Sequence, residues 1–303
     1  MKKYKKYLRI LVFIITLIYI IYDTNFVCEL KGEVSKVSKQ TDIIEKYNIE
    51  NKLEVQFIDV GQADSILIKQ DDKYALIDAG NNEDGTLLVN YLKNLGITSF
   101  EHVVAPHAPE DHIGGMDDII NNFDVKNFYM PDVLTTTKTF EDVLNALENN
   151  NKFYTVLKED ETFNLNEAIF NTIHIGNDEE DLNDTSIVLK LKYQDIKFLF
   201  TGDATKKVEE KILNKDIKSD VLKVGHHGSA YSNSKEFIGK VNPKYGVIGV
   251  GKDNSYKHPH KEVLNILNKN DIKIYRTDES GTIIFTSDGK KLNIKTIKTN
   301  TNG

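Results

Sequence analysis

A ten-residue stretch, Pro106-His107-Ala108-Pro109-Glu110-Asp111-His112-Ile113-Gly114-Gly115, constrains this chain more than any other. Two imidazoles and two carboxylates fall between His107 and His112. The apolar run Val103-Val104-Ala105 leads in, and two glycines close the stretch. That order predicts a buried strand, a ligand-bearing loop and then a helix over residues 114–122. Histidine and aspartate together suit zinc, manganese or iron. The glycines would let backbone pass close to an ion. The alternative is a polar turn that uses histidine as a surface residue.

The remaining histidines strengthen the metal reading. Six of eight fall in three clusters: His107/His112, His226/His227 and His258/His260. The first two clusters directly follow apolar, strand-like runs. The third follows one after a short polar loop. Isolated core or surface histidines seldom group this way.

The 303 residues suffice for one large domain or two small ones plus a tail. Hydrophobic content of 40% and charged content of 28% fit a soluble globular body. Net charge is -7, and Lys2, Lys3, Lys5, Lys6 and Arg9 crowd five positive charges at the N-terminus. The remainder holds 34 Lys+Arg against 46 Asp+Glu, a net of -12. Such a body does not advertise a general grip on polyanions. A local basic patch is compatible with it, and a metal adds charge outside the count. Cys28 is the only cysteine, which excludes an intramolecular disulfide framework and any Cys-rich zinc module. No small residue stands in Asn25-Phe26-Val27 just before it, which argues against lipidation.

Residues 10–22 are apolar, and with Leu8 they fall short of the about 20 residues of a normal span. They fit the h-region of a signal peptide or a brief signal anchor. No A-x-A-like cleavage site follows, so an uncleaved anchor over residues 1–28 is the expectation. The basic flank then places the body outside the cytoplasm. This predicts a single-pass protein of the cell membrane, held through residues 8–22, with secretion after cleavage as the alternative. Residues 29–52 read as a polar stalk, 53–296 as the folded body and 297–303 as a polar tail.

Within the body, strands are predicted at 54–60, 65–69 and 74–80, then a helix over 84–95. Asp78 ends an apolar run and enters a Gly-containing loop, where a turn-forming aspartate is the plain reading. A helix is expected over 138–149. His174, in Thr172-Ile173-His174-Ile175, reads as a satisfied core residue. Asn183-Asp184-Thr185-Ser186 opens a strand, and a hairpin follows whose second strand delivers Asp203 at its tip. A helix over 204–214 comes next. Val221–Gly225 delivers His226-His227-Gly228-Ser229, and Tyr245–Val250 leads to His258-Pro259-His260. Three strands, at 272–275, 281–286 and 291–296, close the body. The pattern is two strand-rich halves interleaved with helices, with His and Asp at strand ends. It predicts two packed sheets, helices outside and a site along one edge.

Six motifs in this order resemble the metallo-β-lactamase superfamily. They are Ile-Asp78-Ala-Gly, Asp111-His112-Ile-Gly-Gly, Thr-Gly-Asp203-Ala, Val-Gly-His226-His227-Gly-Ser229, Tyr-Lys-His258-Pro and Val-Gly-Gln62-Ala-Asp64. The last resembles the Val-Gly-Gln-Gly-Asp turn of the ComEC-type competence-protein hydrolase domain and its free-standing relatives, with Ala63 in place of Gly. The resemblance covers about residues 53–295 and implies a four-layer αββα sandwich of the α/β (α+β) class.

The same resemblance implies zinc, as one or two ions, with manganese as the alternative metal. It places His107 at a first metal position, and Asp111, His112 and His258 at a second. Asp203 would bridge or serve the second. His227, with His226, would face the substrate, and Asp111 joins them as a catalytic candidate. Asp78 and Ser229 would stand behind the ligands. The family loop reads His-x-His-x-Asp-His, or His-x-Asp-x-Asp-His in the competence branch. Here Pro109 fills the middle ligand position and cannot bind metal. The remaining first-metal ligand falls by position on Asn183 or Asp184, both weak candidates.

These readings combine into a membrane-tethered, extracytoplasmic, metal-dependent hydrolase of phosphodiesters, DNA among them, in which Pro109 reduces activity. Small phosphodiesters and envelope polymers stay open as substrates. The alternative is a catalytically impaired relative acting as an envelope binding or interaction module. β-Lactam hydrolysis fits less well, because His226-His227-Gly-Ser resembles the competence branch.

Overall fold

In the computed structural model, residues 52–176 and 181–298 are described. Fifteen strands follow one another as β1 (Leu53–Phe57), β2 (Ile66–Gln70), β3 (Lys73–Ile77), β4 (Ser99–Val104), β5 (Asp124–Tyr129), β6 (Tyr154–Thr155), β7 (Thr162–Leu165), β8 (Ala168–His174), β9 (Val188–Tyr193), β10 (Ile196–Phe200), β11 (Val221–Lys223), β12 (Tyr245–Ile248), β13 (Lys273–Arg276), β14 (Thr282–Ser287) and β15 (Leu292–Ile297). They build two mixed sheets. One runs β15-β14-β1-β2-β3-β4-β5-β6, the other β13-β12-β11-β10-β9-β8-β7.

Both sheets repeat one plan. In the first, β1, β2 and β3 are antiparallel, and β4, β5 and β6 then add in parallel. In the second, β8, β9 and β10 are antiparallel, and β11, β12 and β13 add in parallel. So β3 corresponds to β10, β4 to β11 and β5 to β12. The plan puts the carboxyl ends of corresponding strands at one edge of the sandwich, and the loops that leave those ends carry the polar clusters.

The pleat explains the layers. Phe198 and Phe200 on β10 enter the core shared by both sheets, while Leu199 between them joins a second core with the helices. On β11, Val221 and Leu222 divide in the same way. Phe285 of β14 meets Phe57 of β1 and Phe198 edge-on, each at 5.9 Å between ring centres. Burying each such side chain stabilises the fold by about 1.5–3 kcal/mol. Helices Lys206–Ile212, Lys235–Val241 and Lys261–Lys269 supply Val208, Ile212, Phe237, Ile238, Val263 and Leu267 to the second core. Thr205 and Ser234 cap the first two with side-chain oxygens that accept backbone N–H groups. Helix Lys138–Asn149 is capped the same way by Thr137. The two sheets with helices outside are consistent with the expected sandwich.

The membrane segment joined to that expectation does not hold. Among the described residues no helix is long and apolar enough to cross a membrane. The longest of them, Lys138–Asn149, has 12 residues, against about 20 for a span. Residues 8–22, on which the anchor rested, lie outside the described residues. The readings of a signal anchor, of a membrane as partner, and of a single-pass, extracytoplasmic body are corrected accordingly: no described element supports them.

Candidate metal centre

Five loops meet at the common edge. Asp78 directly follows β3, and the 105–115 loop follows β4. Asp203 follows β10, His226-His227 follows β11, and His258 lies beyond β12. Backbone hydrogen bonds lace three loops of the first half together. Asp64 N–H donates to Asp111 O (3.1 Å), Ala79 N–H to His112 O (2.7 Å), Gly80 N–H to Asp64 O (2.9 Å) and Gly114 N–H to Gly80 O (2.9 Å). A Cβ on Gly114 would stand 2.1 Å from the carbonyl carbon of Asn81. The glycine that was expected to approach an ion is instead required where two backbones touch.

The side chains converge on one spot. His112 and His227 each spend Nδ1 away from it. His112 Nδ1 meets Asp78 Oδ1 at 2.8 Å, and His227 Nδ1 meets the carbonyl of Gly249 at 2.7 Å. A carbonyl only accepts, so His227 carries its proton on Nδ1 and directs Nε2 inward. His227 Nε2 lies 3.2 Å from Asp111 Oδ2 and 3.6 Å from Asp203 Oδ2. His112 Nε2 lies 3.3 Å from Asp203 Oδ1 and 3.9 Å from Asp111 Oδ2. With metal–ligand bonds of about 2.0–2.2 Å, neighbouring ligands in a tetrahedral site stand about 3.3–3.6 Å apart. The four side chains outline such a site.

Asp64, His112, Asp203 and His227 also each bring a ligand atom within 4.8 Å of the others, and all four are buried. The nitrogens identify which carboxylate completes the set. Asp64 Oδ2 approaches His112 and His227 from their Nδ1 sides, at 4.0 and 3.7 Å, and those nitrogens are already engaged. Asp111 is the carboxylate on the Nε2 side. Asp64 stands behind the rings.

Unmet polar atoms support an ion here. Both nitrogens of His107 are buried without a partner, and its ring lies 3.9 Å from that of His112. His112 Nε2, His226 Nδ1 and His258 Nδ1 are buried and unpaired as well. Each such group costs about 1–3 kcal/mol if nothing satisfies it. A cation at this spot would take the lone pair of His112 Nε2 and that of one His107 nitrogen, so the residues present fit a divalent ion.

The other sequence candidates are distributed around this core. His226 is partly exposed, with Nε2 3.6 Å from Asp203 Oδ2. His258 lies farther out, its ring 5.6 Å from that of His226 and 6.4 Å from that of His227. Ser229 is buried and braces the turn, its N–H donating to His226 O at 2.7 Å. Asn183 and Asp184 are not brought to the ligand atoms. Asp184 accepts a short hydrogen bond from Thr205 and pairs with Lys207 at 3.4 Å; Asn183 sits in the same turn, Leu182–Thr185. His174 is buried and meets Glu159 through Nδ1 at 2.9 Å, away from the site.

Three contributors escaped the sequence reading. Asp64 stood in a quoted motif but received no role. Lys223 is 1% exposed, and its Nζ pairs with Asp64 at short range, donates to Gly202 O at 3.0 Å and lies 3.5 Å from Asp203 Oδ1. Its signal was a lone charge inside the apolar strand Val221-Leu222-Lys223-Val224. Asn233 is buried too. Its amide joins Gly225 N (3.0 Å) and Gly225 O (2.9 Å), holding the turn in which His226 (φ 52°) and His227 (φ 50°) are both left-handed. Such backbone costs about 1–3 kcal/mol per residue and persists only where surroundings fix it.

The family model of the Metallo-beta-lactamase superfamily matches residues 58–252, which contain all four inward ligands. The chain belongs to the metallo-beta-lactamase superfamily. ComE operon protein 3 of Bacillus subtilis (strain 168) is 32% identical over 257 residues, covering 77% of this chain and 33% of that protein. Competence protein ComA of Neisseria gonorrhoeae is 29% identical over 244 residues, covering 78% and 32%. The chain thus spans about a third of the length of these curated relatives. Among solved structures, the metallo-beta-lactamase fold protein YhfI from Bacillus subtilis is similar, with a TM-score of 0.53 and 11% identity over 78% of this chain and 100% of that one. That likeness shows the fold alone.

Charge in this metallo-beta-lactamase-family pocket is strongly coupled. Burial alone would lower the pKa of His112, but Asp78, Asp203 and Asp111 outweigh it and hold the imidazole well above its ordinary value. Burial pushes Asp78 up to about 6, against the opposing pull of His112. His107 is held well below the usual range by burial and by its neighbour His112. A metal ligand must be a neutral imidazole, so an entering ion displaces the His112 proton. Two opposite trends follow. The proton's contribution to the metal-free fold is fully present below about pH 6.5 and is lost as pH rises through the raised value in the folded protein. Zinc affinity is therefore expected to rise from about pH 6.5 towards the raised value, while metal-free stability from this group falls. Calorimetric zinc titrations and thermal melts across that interval check both signs; affinity flat in pH would contradict the first.

Proposed function

We propose that this protein is a metal-dependent hydrolase of phosphodiesters, similar in kind to the ComEC-type hydrolase domains. One observation carries the reading: His112, His227, Asp111 and Asp203 turn ligand atoms to one spot at an open edge, where Asp111 is 31% exposed. His112, His227, Asp111 and Asp203 would hold the ion, with His107 beside them. A bound divalent ion would supply positive charge to phosphoryl oxygens and lower the pKa of water from about 15.7 towards about 7.

The remaining roles belong to the chain's own side chains. Asp78 fixes the tautomer and direction of His112, as the carbonyl of Gly249 does for His227. His226 and His258 line the outer side and are both lowered, chiefly by burial; His258 falls to about 4. Neutral imidazoles at neutral pH can hydrogen-bond a phosphoryl oxygen and pass a proton to or from the reacting group. The name of the Neisseria gonorrhoeae relative concerns competence. On that footing DNA is the polymer we propose, held locally, because the chain carries a net charge of -7.

The test uses bis(p-nitrophenyl) phosphate with zinc or manganese, and a single-stranded oligonucleotide in parallel. Nitrophenolate release by the metal-loaded protein is expected. Asp203→Asn should lower it about a thousandfold, the equivalent of the several kcal/mol that such an ion contributes. Metal uptake with no turnover of either substrate would reject the hydrolase reading and leave a binding role, the direction in which Pro109 points.

A further inference from the structure

The cation already inside the pocket has no place in the proposed chemistry. Lys223 ends β11 and is buried with Asp64 and Asp203, each of them 3% exposed or less. Its ammonium pairs with Asp64 Oδ2, donates to Gly202 O and faces Asp203 Oδ1. Asp203 thereby divides its oxygens. Oδ2 faces His226 and His227, while Oδ1 is shared by His112 and the lysine.

We propose that Lys223 is a resident cation that limits this site to one divalent ion. The ammonium occupies the carboxylate oxygens on the inner side, between Asp64 and Asp203, where a second cation would find its negative charge. The outer donors do not make up the deficit. Pro109, two residues from His107, offers no ligand atom, and Asp184 is turned to Thr205 and Lys207. His107 is left with the carboxylates that the first ion already uses. When no ion is bound, the lysine offsets one of the two negative charges on Asp64 and Asp203. This inference rests on the metal-binding half of the proposed function and not on the substrate, so metal counting can fail independently of hydrolysis.

The decisive variant is Lys223→Ala, which opens space and leaves Asp64 buried without its partner. Zinc stoichiometry is measured by elemental analysis and calorimetry on the full chain. The unmodified protein is expected to hold one equivalent and to stay folded in excess chelator. K223A is expected to hold two, with a thermal midpoint that drops on chelation and recovers with zinc. Asp64→Asn combined with Lys223→Met removes both charges at nearly constant volume. That double variant should fold without metal and still hold one equivalent, and it decides the matter if K223A does not fold. Two tight equivalents in the unmodified protein, one in a folded K223A, or none in the double variant would each overturn the proposal.

Discussion

Replacing His112 by alanine is expected to strip the protein of its metal and to lower phosphodiester hydrolysis by about a thousandfold or more. Among the imidazoles, His112 shares its placement with His227, but of the two only His112 is held by a carboxylate behind it. His112 is fully buried, holds Asp78 at 2.8 Å through one nitrogen and turns the other to Asp203 and Asp111. Its backbone carbonyl accepts from Ala79, so the main chain stays pinned when the ring is removed. The variant should therefore keep its sheets while losing the ion. Elemental analysis reads the ion, far-ultraviolet circular dichroism reads the sheets, and the nitrophenolate assay reads the chemistry. A folded H112A that retains one zinc would show that the ion sits elsewhere.

Asp78→Asn should weaken zinc binding about 10- to 100-fold, the usual effect of losing the carboxylate behind a ligating histidine. Asparagine is the informative replacement. Asp78 has φ 62°, in the left-handed region that asparagine tolerates nearly as well as aspartate. Shape and backbone are kept while the charge on His112 Nδ1 is lost. The zinc affinity of D78N should also depend less steeply on pH, because Asp78 is the foremost of the carboxylates that raise His112. Affinity within twofold of the unmodified protein would reduce Asp78 to a turn residue, the plain reading of its position in the sequence.

The sequence made the elements legible because periodicity and caps agree in this chain. Helix Lys138–Asn149 occupies the residues where a helix was expected, and most strands start within a residue or two of their apolar runs. The clustered histidines marked the edge because ligands at strand ends are near one another in sequence. What stayed hidden was direction. The carbonyl of Gly249, 22 residues from His227, holds its Nδ1 and so sets where its Nε2 points. For His258, which the resemblance places at the metal, the ring stands 5.6 Å from that of His226 and 6.4 Å from that of His227. The partners of Lys223 were hidden for a related reason. A buried charge is tolerable only against partners brought from elsewhere, and Asp64 lies in a loop of the other sheet.

The place of β1 in its sheet also governs how the chain can be made. β1 lies between β2, its immediate successor, and β14, near the far end of the described chain. Leu53 pairs with Ser287, and Phe57 with Ile283. A contact of that span closes late and contributes to slow folding. While the ribosome is still adding residues, one side of Leu53–Phe57 has no native partner, and an unpaired strand edge is a surface on which other chains assemble. That edge of β1 gains its native partner only once β14 (Thr282–Ser287) has been made. Because the pocket draws Asp111 and His112 from one half and Asp203 and His227 from the other, a metal held there would mark molecules in which both halves have closed.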